Sequence, residues 1–410
     1  MATSQARPNE IKNFTITADG KDISPMVLQT DIFQDVFMPT WSCQIGFADT
    51  QNLLMNLPIK PGTEISIHME TQYPVTESKT FKFVVYKISD RILLKQEQQG
   101  YVLHCVTKEF FNNQKQRVIK SYKTMSADAI VAAICAEYGV GSIEDSDSDS
   151  NAYSVIVPNM SPFGAISWVS RYALGSAGGA DFIFYQSDTG KFKYKSLDSM
   201  LSDRSGIKFK QINPNITDGD ANTPVENFLN IEHYEFLSQH DSMSNFAAGY
   251  YGSKIISHNI YDKKIDSFDF NFGDDIAADK TLKSFSGAYF ENANDSHVVY
   301  QPISTNGMGL NITLPADNYE AWLGSRKTNI MKFEENRLLM AVPGAVSHYK
   351  ILGKQVDVEL PSHQDHDEGV YLDKYLKGSY VVLALRHSIT TTAYKVSVEC
   401  GKKRLDTPLA

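Results

Sequence analysis

Two segments near opposite ends of the chain follow one pattern: PIKPGTEISIHME at Pro58–Glu70 and ILGKQVDVELPS at Ile351–Ser362. With Gly62 set on Gly353, each glycine is followed by two polar residues and an apolar alternation. Ile65, Ile67 and Met69 in the first segment answer Val356, Val358 and Leu360 in the second. A variable loop follows each, then a second alternating strand, FKFVVYKIS or SYVVLALRHSI, then a third that closes on Cys105 or Cys400. Aligning those cysteines places Leu103 on Val398, in the same inward phase. Strand alternation alone generates part of this match, so chance likeness between β-rich segments is the competing reading. The shared order of turn, strand, loop, strand, turn and strand favours two copies of one small β-barrel with an insert between them.

A chain of 410 residues exceeds what one core serves, and about two to four domains are expected. A hydrophobic share of 42% with 21% charged residues excludes wholesale disorder. The net charge of −9 comes with lysines and arginines that are scattered rather than massed. A groove gripping nucleic acid needs clustered cations, so specific DNA or RNA binding is not expected. Mild acidity suits a channel wall that must not hold passing DNA. The N-terminal MATSQARPNEIKNF lacks the basic-then-apolar order of a signal peptide. No apolar run approaches the roughly 20 residues of a membrane helix, so membrane insertion is not expected. Cys43, Cys105, Cys135 and Cys400 form no CxxC and read as buried thiols of a reducing compartment.

The fold class expected is mainly β with an α+β insert: two similar small β-barrels plus inserted and peripheral domains. Residues 1–114 read as the first barrel, with WSCQIGF placing Trp41, Cys43, Ile45 and Phe47 on one face. Residues 115–205 read as the α+β insert. There Ser126 and Gly139 cap one helix, Ser161-Pro162 starts another, and a hairpin turns at Asp188-Thr189-Gly190. Residues 206–272 are expected to return to the first barrel and begin the second. Residues 273–327 form a loop-rich peripheral region running into a helix at DNYEAWLGSRKTNIMKF, and 328–410 complete the second barrel.

No chemistry stands out. His363, Asp365, His366, Asp367 and Glu368 in SHQDHDEG could meet a metal, but the stretch joins two strands and reads as a solvated loop. The acidic EDSDSDSN at Glu144–Asn151 lacks the glycine and closing glutamate of a calcium loop and reads as a solvated linker. No nucleophile elbow, P-loop or HExxH occurs. Neither catalytic, cofactor-binding nor metal-binding residues are assigned, and no cofactor is expected. Lys191, Lys193 and Lys195 read as a solvated basic face.

One stretch is more specific. MSNFAAGYYGSKIISHNIYDKKIDSFDFNF at Met243–Phe272 resembles central baseplate hub proteins of contractile-tailed bacteriophages. Gly249 and Tyr250 fill the family's glycine-tyrosine turn, Asp262 with Lys263 or Lys264 its Asp-x-Lys, and Phe268 to Phe272 its aromatic strand. VPNMSPFGAISWVSRYA followed by DFIFYQSDTGKFKYKSL is similar to the family's insert, and MAVPGAVSHYKILGKQVDVELP to its last barrel. The resemblance implies a non-enzymatic virion protein of the tail baseplate, assembled in the host cytoplasm. It implies a homotrimer whose doubled tail-tube barrels make a pseudo-sixfold ring, with a channel for DNA, between the sixfold tail tube and a threefold central spike. Partners would be the tail tube protein, the spike, baseplate wedge proteins and the tape measure protein. The alternatives are the hub of a related contractile injection machine, and a tail-associated cell-wall glycan hydrolase or carbohydrate-binding protein.

Overall fold

The computed structural model describes residues 11–51, 59–71, 76–95, 98–149, 151–175, 180–211, 229–239, 241–259, 263–271, 293–303, 323–324, 326, 330–331, 333, 336–362, 372–373 and 376–402. The SHQDHDEG histidines and acids, Asp262, Phe272 and nearly all of 273–327 lie outside these residues.

The chain begins with β1 (Ile11–Ala18), the short β2 (Lys21–Asp22), β3 (Val27–Asp35), β4 (Ser42–Asp49), β5 (Glu64–Thr71), the 19-residue β6 (Glu77–Lys95) and β7 (Gln98–Val106). Next come α1 (Lys108–Lys115), β8 (Val118–Met125), α2 (Ala127–Tyr138), β9 (Ile143–Ser146), β10 (Tyr153–Met160), α3 (Pro162–Ser170), β11 (Phe182–Gln186), β12 (Phe192–Ser196) and α4 (Leu197–Met200). Then follow β13 (Arg204–Lys210), β14 (His233–Gln239), α5 (Ser242–Ala248), β15 (Gly252–Asn259), β16 (Lys264–Asn271), β17 (Val298–Ile303), β18 (Asn336–Pro343), β19 (Gln355–Glu359), β20 (Gly378–Thr390) and β21 (Tyr394–Gly401).

One 13-stranded sheet carries both halves. In the first, the neighbours run β3-β4-β7-β6-β5-β1; in the second they run β14-β18-β21-β20-β19-β13. The two orders are the same once strands are matched by their position along the chain. Details repeat as well. Gly62 N–H donates to the Val85 carbonyl (2.8 Å), and Gly353 N–H to that of Val382 (2.9 Å). Val85 N–H returns to Thr63, and Val382 N–H to Lys354, both at 3.0 Å. Both glycines adopt a positive φ, +100° and +71°, the left-handed turn that side-chain-bearing residues resist. A bulge follows each turn, at Val85/Lys87 and at Val382/Ala384. The sequence alignment is thus an alignment of hydrogen bonds.

The halves differ at the first strand. β1 runs antiparallel to β5, whereas β13 runs parallel to β19. Residues Arg204–Lys210 therefore join the second half directly. Within the span 206–272, expected to return to the first barrel and begin the second, β13 pairs with β19 and β14 with β18.

Alternation decides which face is buried. Cys43, Ile45 and Phe47, and Ile65, Ile67 and Met69, are all at most 1% exposed, as are Val356, Val358 and Leu360. Both halves share one core cluster. A second core, from Val118 to Tyr194, belongs to the intervening α+β segment. There Ser161 caps α3 through a hydrogen bond from Gly164 N–H (3.3 Å), with Pro162 in its first turn. Gly139 closes α2 with φ +57°. A small sheet of β16, β15 and β17 stands apart, with β17 parallel to β15.

Candidate assembly interface

Of the residues weighed for chemistry, the acidic stretch and the hairpin lysines lie among the described ones. The acidic stretch, expected to be a solvated linker, instead contributes β9, which pairs in parallel with β12. Lys195 Nζ lies 2.8 Å from Asp145 and 3.0 Å from Asp147, and Asp147 also accepts from Ser196 N–H at 2.8 Å. Asp149 is buried, accepting from the backbone of Asn151 (3.0 Å) and Leu174 (3.3 Å), and burial raises its carboxyl above the usual range. Lys195 of the basic hairpin face is thus paired with the acidic stretch, which two separate sequence windows did not reveal. Where α3 meets β11 a cavity of about 190 Å³ is lined by Phe163, Ile166, Phe184 and Arg326, with no carboxylate among its described lining residues. Arg326 donates to the carbonyls of Ser170 and Ala180, each at 3.1 Å. Among the described residues no group of three or more His, Cys, Asp or Glu is placed to hold a metal ion. No helix among them is long and apolar enough to cross a membrane.

What the sheet does present is a joint between its two halves. Within the chain, β20 of the second half pairs with β3 of the first, from Ala384 opposite Asp35 to Thr390 opposite Gln29. Val36 N–H donates to the Leu383 carbonyl (2.9 Å) and Arg386 meets Asp31 at 3.1 Å. At its centre His387 is hydrogen-bonded to Gln34 (3.1 Å) and to the Tyr394 hydroxyl (2.9 Å). Burial, reinforced by His348, pushes the His387 pKa down to about 3. This joint makes one sheet of two halves.

The matching strands are placed differently. Among the described residues β14, the counterpart of β3, pairs with β18 and stands last in the strand order. β6, the counterpart of β20, has no strand partner on its outer edge beyond Val85 among the described residues. Exposure follows. Leu383, Leu385 and Ile389 are at most 2% exposed, but their counterparts include Tyr86 at 47% and Leu93 at 71%. Ile92 and Leu94 beside it are 57% and 44% exposed. Likewise Thr30 and Ile32 are fully buried, while Tyr234 and Phe236 on β14 are half-buried. A long, apolar, unpaired edge is a template for another strand. The sequence lists the apolar residues of β6 but not their vacancy, which depends on where β3 goes.

No protein-family model matches the sequence, and no curated protein matches it. Solved structures do match. A 43 kDa tail protein of prophage MuSo2 from Shewanella oneidensis aligns with a TM-score of 0.56 at 10% identity, over 96% of this chain and 99% of that one. The tail protein from Neisseria meningitidis MC58 gives 0.56 at 11% identity, over 95% and 96%. A Francisella PdpA-VgrG complex gives 0.50 at 9% identity, over 98% of this chain and 54% of that one. At such identities the likeness is one of fold: this chain folds as phage tail proteins do.

Proposed function

We propose that the chain is the central hub of a contractile-tail baseplate, a structural protein of the virion tail rather than an enzyme. Three copies, each carrying two like halves, form a ring of six similar units that adapts a sixfold tail tube to a threefold spike and leaves a channel for DNA. The observation that carries this reading is the doubled strand order, with its halves already joined edge to edge by β3 and β20. One gene thereby supplies a unit with sixfold-like spacing and threefold identity. The tail proteins of similar fold support a tail role, and the VgrG-containing neighbour supports the variant in which the same ring serves a related injection machine. Light scattering coupled to size exclusion, with negative-stain imaging, tests it. The expected particle is a ring with the mass of three chains, alone or with the tube protein added. A compact single-chain particle under every condition overturns the reading.

A further inference from the structure

We propose that a groove on the α+β segment, where Arg117 and the end of β10 meet α3, docks an acidic stretch of a partner protein. The groove encloses about 500 Å³, and Arg117, Asn159, Met160, Trp168 and Arg171 are among its lining residues. Its shape starts from a bulge. From Val157 to Met160 β10 takes three steps while β8 takes two, Lys120 to Val118, so β10 carries one extra residue there. Asn159 lies within this bulge with a φ of +47°, and Ser161 caps α3 two residues on. Gly164, Trp168 and Arg171 then follow at helical spacing along the face of α3 opposite its buried Phe163, Ile166 and Val169.

Charge selects the occupant. Both arginines are exposed, and among the described residues no carboxylate is paired with either. The same segment pairs Lys120 with Glu137 at 2.6 Å and Lys195 with Asp145 at 2.8 Å. The amides that open α3 are already engaged: Phe163 N–H donates to Asn113 (2.7 Å), Gly164 N–H to Ser161 Oγ (3.3 Å) and Ala165 N–H to the Ser161 carbonyl (2.8 Å). Recognition of an anion therefore falls to the guanidiniums, which meet a carboxylate through two parallel N–H bonds. Met160 and Trp168, both half-buried, supply apolar floor. Beyond Arg117 the outer face of β8 continues into Ile119, 71% exposed. Ile156, 73% exposed, faces Ser121 and so lies diagonally across from Ile119. A nucleic-acid backbone would use the arginines and leave these isoleucines bare. An extended protein segment, carboxylates leading into apolar side chains, uses both. Such docking goes beyond the hub reading and needs no ring.

Fluorescence anisotropy tests it on the full chain at low salt. The probe is a fluorescein-labelled peptide of about twelve residues, with glutamates around a central pair of leucines. Saturable binding below about 1 mM is expected, fading as ionic strength rises. Arg117→Glu/Arg171→Glu should weaken it by about tenfold or more and remove the salt dependence. Ile156→Asp should weaken it by about threefold or more, which a site for a simple anion would not show. All three positions are exposed, so native circular dichroism should persist in both variants. No saturation by about 1 mM, or binding that these variants leave unchanged, overturns the proposal. Tighter binding of oligothymidylate or of phosphatidylserine vesicles, abolished by the arginine reversal, also overturns it and assigns the groove to nucleic acid or membrane. None of these outcomes bears on whether three chains form a ring.

Discussion

Gly62 and Gly353 occupy the same turn but carry different burdens. A Cβ on Gly62 would meet nothing within 4 Å, so only its φ of +100° opposes substitution. A Cβ on Gly353 would collide with the Tyr185 hydroxyl and ring, in a segment wedged against the second half. Gly62→Ala should therefore cost about 1 kcal/mol and Gly353→Ala about 2–4 kcal/mol, read as shifts in the midpoint of chemical unfolding. Equal losses would contradict the close approach of Tyr185. His348 and His387 supply a second test. Burial lowers His348 to about 4, and burial with His348 lowers His387 to about 3. Both are neutral in the folded chain and take up protons near pH 6.5 once unfolded. Their contribution is complete above that pH and is lost as pH falls from about 6.5 toward 4 and 3. Stability should drop by roughly one to two kcal/mol per pH unit below 6, and His387→Asn should flatten the slope.

At the level of elements, much was legible. Alternation in β4 and β5, the Ser161-Pro162 start of α3 and the Gly139 cap of α2 are local signals, and local geometry answers them. What could not be read depends on partners far along the chain. The parallel β13–β19 pair, the β3–β20 joint and the Lys195–Asp145/Asp147 cluster each need the fold before their residues meet. The vacancy of β6, the central element of the candidate interface, was hidden for the same reason. The seating of the α+β segment is similar. Trp41 Nε1–H donates to the Gln186 carbonyl (3.1 Å), and Lys79 Nζ reaches the Asp188 carbonyl (2.5 Å). Trp41→Phe keeps an aromatic ring but removes the first of these bonds. It should cost about 1–2 kcal/mol in urea unfolding, with the loss felt in both cores. A neutral result would mean that the tether contributes little.

For the whole molecule, the proposed ring would have a passing polyanion meet the sheet face turned away from the core. Three of its cations are paired within the chain: Arg386 with Asp31 at 3.1 Å, Lys395 with Glu232 at 2.7 Å, and Arg337 with Glu399. The assembled protein should accordingly fail to retard DNA in a gel at about 0.15 M salt. Removing the partners, as Asp31→Asn/Glu232→Gln/Glu399→Gln, should produce salt-sensitive retention that fades as ionic strength rises. Retention by the unaltered chain would argue against a free channel.

In the proposed ring, the reversal of the opening strand would supply a built-in count. Because β1 runs against β5 while β13 runs with β19, travelling around such an annulus meets the two strand directions in turn. A cylinder of six identical partners reads only the likeness of the halves. A three-bladed object can instead find alternate stations, and slipping by one station would set it against the wrong polarity.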